Sequence, residues 1–89
     1  MYDYPTFQDK IIIPSKEAQR EMDEVGINLW KVKEIVENGY DVSVSQRKEN
    51  IIEKAMIRKN REIRVVVALV ERSDIGYWVV THVGKTGKH

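Results

Sequence analysis

The sequence predicts an α+β domain: two short N-terminal helices packed on one face of a three- to four-stranded antiparallel sheet. Three observations lead there. Between Ser15 and Gly39, apolar residues recur at helical spacing between capping residues. After Tyr40 the apolar period falls to two. The run Val65 to Val70 is apolar at every position, which suits a strand in the middle of a sheet.

The elements follow in order. The β-branched stretch Ile11-Ile12-Ile13 predicts a brief strand or an extended lead-in. After Pro14, the Ser15 hydroxyl suits a helix N-cap and Glu17 complements the positive helix end. Ala18, Met22 and Val25 then recur up to a stop at Gly26. Asn28 caps a second helix with Leu29, Val32, Ile35 and Val36 on one face, ended by Asn38-Gly39. The helices are expected over residues 16–25 and 29–38.

"YDVSVSQ" alternates Val42 and Val44 with polar neighbours, as a half-exposed strand does. "NIIEKAMIR" and "EIRVVVALVE" flank Lys59-Asn60-Arg61, where Asn60 tolerates a positive φ, so a hairpin joins them. Residues 62–71 are expected as the central strand, flanked by strands around Ile52 and Val79. "RSDIG" makes another turn, and "YWVVTHV" the last strand. The expected boundaries are an extension over residues 1–10, one domain over 11–84 and a tail over 85–89.

Composition bounds the function. At 89 residues and 42% hydrophobic the chain builds one modest core. The absence of cysteine excludes disulfides, thiolate nucleophiles and Cys-based metal sites. No apolar stretch approaches the ~20 residues of a membrane helix, and "MYDYPTFQDK" has neither region of a signal peptide. A soluble cytoplasmic chain without a membrane partner is expected. Net charge is +1, but five Lys/Arg face nine Asp/Glu up to Val44, and ten face five after it. That split fits either an anionic partner for the basic half or two halves that attract one another as they pack.

"SKEAQREMDEVGI" followed by "VKEIVENGYDV" resembles the opening of the domain-of-unknown-function family numbered 4258. Ser15, Ala18, Met22, Glu24, Gly26, Ile27, Ile35 and Gly39 stand at matching positions, and "YWVVTHV" resembles the family's terminal strand. The resemblance covers roughly residues 11 to 83. It implies a RelE-like fold related to the RelE and BrnT toxins, an RNA-directed ribonuclease-like activity and an antitoxin-like protein partner. Glu17, Glu21 and Val25 stand where the family pattern has His, Arg and Arg. Two carboxylates repel phosphate where His and Arg would hold it, so the first helix is expected not to touch nucleic acid.

The basic stretch "IRKNREIR" supplies the cations. Arg58, Arg61 and Arg64 are the candidate RNA-binding residues, with Arg64 near the others if the turn is tight. A metal-independent endoribonuclease also needs groups that move protons, for which Tyr77, His82 and Lys85 are the candidates. Alternation places His82 on the face of Trp78 and Val80, where partial burial against a backbone partner is the plainer role. Trp30 and Trp78 suit packing. "GKTG", residues 84–87, lacks the upstream glycine and following helix of a phosphate-binding loop. No metal site, cofactor or DNA-specific motif is expected. The alternative to an RNA-directed domain is a non-catalytic module that binds a protein, or its own copy, through a sheet edge.

Overall fold

In the computed structural model, which describes residues 4–42 and 50–87, both helices lie where their caps place them. Ser15 Oγ accepts from the Ala18 amide at 3.0 Å, and α1 runs Lys16–Val25. Gly26, at φ 90°, closes it, with the Gly26 and Ile27 amides donating to the Met22 carbonyl at 2.7 and 3.0 Å. Asn28 Oδ1 accepts from the Lys31 amide at 2.9 Å, and α2 runs Leu29–Asn38. Gly39 ends α2 for a different reason. Its φ is −74°, but a Cβ there would lie 2.5 Å from the carbonyl oxygens of both Ile35 and Ala55. Close backbone approach, not a left-handed turn, makes this position glycine.

The sheet corrects the expected three or four antiparallel strands. It has six strands: β1 (Thr6–Phe7), β2 (Lys10–Pro14), β3 (Tyr40–Asp41), β4 (Ile51–Arg58), β5 (Arg61–Arg72) and β6 (Ile75–Gly87), in the order β1-β2-β6-β5-β4-β3. It is also mixed, because β2 runs parallel to β6, with Ile12 beside Trp78 and Pro14 beside Val80. The path of the chain explains this. After β2 both helices cover one face of the sheet, and the chain re-enters at the far edge. Hairpins carry it back until β6 arrives beside β2, pointing the same way. β1 is added by a hairpin whose two turn residues, Gln8 and Asp9, take φ 54° and 67°. It lies within the stretch expected as an extension, and β6 runs into the stretch expected as a tail, as far as Gly87. Val44 lies outside the described residues.

Ile12, Met22, Val32, Ile35, Val65, Val67 and Val80 form the buried centre between helices and sheet. β5 is the central strand the sequence predicts, between β4 and β6. Trp78, 3% exposed, donates from Nε1 to the Phe7 carbonyl at 3.1 Å and packs edge-on against the Phe7 ring, which fastens β1 to the core. Trp30, by contrast, is 53% exposed.

One irregularity redirects a candidate residue. Val66 pairs with His82 while Val67 pairs with Val80, so Thr81 is an extra residue in β6. The Thr81 hydroxyl bonds to the Val66 carbonyl at 3.3 Å. Past this bulge the buried positions of β6 move from Trp78 and Val80 to Val83, and His82 turns to the opposite face. The expected partial burial of His82 is thereby overturned: its side chain is 69% exposed.

Candidate nucleic-acid interface

The β4–β5 hairpin turns through Lys59 and Asn60, at φ 52° and 65°, with Arg58 and Arg61 as its last cross-strand pair. Positive φ at both central residues is the geometry that suits a two-residue hairpin. Counting back from the buried Ile63 puts Arg61 on the helix-facing side, and pairing puts Arg58 there too. Lys85 pairs with Ile63 across the other ladder and shares that side. α1 stops at Val25, and its end and the following turn border the hairpin end of the sheet.

The outcome is an open concavity of about 440 Å³ lined by Val25, Gly26, Ile27, Ile63 and four cations, Arg58, Lys59, Arg61 and Lys85. All four cationic residues are exposed. Among the described residues none of their side chains has an ion-pair partner, whereas Arg20, Lys31, Lys33, Lys54 and Arg64 each have one. Two arginines directly opposite each other on a hairpin repel, a local arrangement that folding alone does not favour. The C-terminal end of α1 brings roughly half a negative charge to the rim, small beside four cations. The concavity therefore carries a concentrated positive charge.

The sequence grouped Arg64 with Arg58 and Arg61, and the structure separates it. Arg64 pairs with Ala55 and Gly84 on the face away from the helices, three residues from Arg61 and so of opposite parity. Its Nε lies 3.0 Å from Glu62 Oε1. Glu62 also accepts from the Tyr40 hydroxyl, and this bond holds the Tyr40 pKa above its ordinary value; desolvation adds to the shift.

The proton-moving candidates do not assemble either. Lys85 lines the basic concavity, while His82 opens on a second one with Glu21, Glu53 and Arg64, its Nδ1 3.5 Å from Glu21 Oε2. Tyr77 pairs with Val70 further along β6 and lines neither concavity. Sequence reasoning missed Lys59 as a member of the site, and the apolar Val25 and Ile27, which arrive from the end of α1 and the turn after it. Among the described residues no group of three His, Asp or Glu stands together as a metal site, and no helix is long and apolar enough to cross a membrane.

No family model, curated protein or solved structure matches the chain. The geometry divides the basic stretch into a converging set, Arg58, Lys59 and Arg61, and a neutralised remainder, Arg64. Of the charge asymmetry in the sequence, Lys54 with Asp41 at 2.9 Å joins the two halves, whereas the Arg20, Lys31 and Lys33 pairs stay within single helices. Attraction between the halves leaves the hairpin cations unused.

Proposed function

We propose that this chain is a small cytoplasmic RNA-directed domain that grips the sugar–phosphate backbone at the hairpin end of its sheet. The convergence of Arg58, Lys59, Arg61 and Lys85 in one concavity, without carboxylate partners, carries the reading. Arg and Lys at such a spacing neutralise successive phosphates, and Arg adds a planar fork that meets two phosphate oxygens at once. The resemblance of the helical segment to the family numbered 4258 supports an RNA target and an antitoxin-like partner.

The reading is one of binding. The lining residues include no imidazole or carboxylate, the groups that exchange protons most readily near neutral pH, and His82 and Tyr77 stand elsewhere. The experiment is a filter-binding titration of single-stranded RNA with the whole protein. Arg58→Glu with Arg61→Glu should abolish binding, whereas Arg64→Ala should leave it within about two-fold, since rim charges already paired contribute little. Equal loss in both variants would reject the concavity.

One observation favours a second reading. β6 pairs with β2 only from Trp78 to Val80, so residues 84–87 leave that edge without a strand neighbour among the described residues. An open edge accepts another strand, including that of a second copy. Concentration-dependent dimers, absent after Lys85→Pro, would support it.

A further inference from the structure

The concavity is not only basic. Its lining is also apolar: Val25 at the end of α1, Ile27 just after it and Ile63 of β5 share it with the cations. Val25 and Ile27 are half-buried against the core and Ile63 is 6% exposed, so this lining is held by packing. A phosphate alone has no use for such a surface, and about 440 Å³ is far more room than it needs. That volume falls in the range of small-molecule pockets, but this concavity is open and half its lining residues are cations, so it suits a ligand that is charged at one end and apolar at the other.

A nucleotide offers both halves of the complement. Its phosphate meets Arg58, Arg61 and Lys85, and its base presents a flat π-face to the aliphatic lining and to a guanidinium plane. In a duplex that face is stacked and the lining cannot be reached without flipping the base out. We infer that the concavity takes one unstacked nucleotide of a single strand, with its base on Val25 and Ile27, backed by the buried Ile63, and its phosphate on the arginines. This rests on the backbone-binding reading above and adds selectivity for single strands. It also places specificity at the end of α1 and in the turn after it, not in the basic stretch.

The test is a calorimetric titration of the whole protein with inorganic phosphate, ribose phosphate, adenosine monophosphate, a short oligoadenylate and a duplex of equal length. Adenosine monophosphate should bind several-fold tighter than ribose phosphate, because its base buries apolar surface that ribose phosphate leaves exposed. Oligoadenylate should outcompete the duplex. Ile27→Asn should bring adenosine monophosphate down to the affinity of ribose phosphate while ribose phosphate is unaffected. A folded-state check by circular dichroism accompanies that variant, and the wild-type ligand series decides the question by itself. Equal affinities for adenosine monophosphate and ribose phosphate, or for single strand and duplex, with Arg58 and Arg61 still required, would overturn the inference and leave backbone binding standing. An oligoglutamate that binds as tightly as oligoadenylate would also overturn it, as a site for charge alone. If no RNA binds in a manner that needs Arg58 and Arg61, both readings fall.

Discussion

The Glu21 carboxylate accepts a hydrogen bond from the Val83 amide, Oε1 to N 2.8 Å, just past the bulge in β6. At this point β6 has lost β2 as a neighbour, so its amide needs another partner. α1 supplies it, and Glu21 Oε2 faces His82 at 3.5 Å. A carboxylate that looked from the sequence like a repulsive charge on the helix surface thus ties the helix to the sheet. Glu21→Ala should cost about 1–2 kcal/mol, because it strands a partly buried amide. Glu21→Gln keeps an acceptor oxygen and should cost less than half as much. Urea denaturation midpoints of the two variants separate these outcomes; equal midpoints would show that the bond contributes nothing.

The two glycines that end the helices should differ in how far asparagine is tolerated. Gly26 takes φ 90° in open space, with no atom within 4 Å of a built Cβ. Gly26→Ala should cost about 1 kcal/mol of backbone strain, and Gly26→Asn less, since Asn visits the left-handed region. At Gly39 the obstacle is backbone on both sides, which cannot yield as a side chain would. Gly39→Ala and Gly39→Asn should both cost about 3 kcal/mol, as overpacking does. Thermal melts of the four variants check the pattern.

Local chemistry made the helices and the central hairpin legible, because caps and turn residues act within a few positions of themselves. Ser15, Asn28 and Asn60 each make in the structure the bond or backbone angle their residue type favours. The rest depended on distant partners. Ile11 to Ile13 reads as a strand, but nothing in it says that β6 lies alongside in parallel. β1 is two residues long and turns on Gln8-Asp9, a weaker signal than Asn-Gly. The bulge at Thr81 leaves the apolar alternation before it untouched, so the flip of His82 was invisible. The position of Arg64 was legible: with a two-residue turn at Lys59-Asn60, pairing Arg58 with Arg61 sends Arg64 to the other face.

Tyr40 should titrate above its ordinary value near 10. Its hydroxyl donates to Glu62, and an ionised phenolate would lose that bond and face the carboxylate. The sign follows. A raised folded-state pKa favours the protonated form, so the contribution to stability is complete below pH 10 and disappears as pH rises through the folded-state value. Ultraviolet titration of the tyrosines, with Tyr40→Phe to assign the transition, should show a late component. Glu62→Gln should move it back toward 10; an unchanged late component in that variant would assign it elsewhere.

Salt should distinguish the cations that meet phosphate from those that do not. Each phosphate neutralised on a single strand adds about 0.7 to the slope of log affinity against log salt. Arg58→Ala with Arg61→Ala should therefore lower the slope by roughly 1.4, with stability unchanged or slightly higher because a like-charged cross-strand pair is removed. Lys85→Ala should remove about 0.7 more, since Lys85 lines the same concavity. Arg64→Ala should leave the slope as it was, because Glu62 already holds that guanidinium on the opposite face. The order matters more than the values. If Arg64→Ala lowered the slope as much as either hairpin arginine, phosphate would be reaching both faces of the sheet, and the concavity beneath the helix turn would not be where RNA is held.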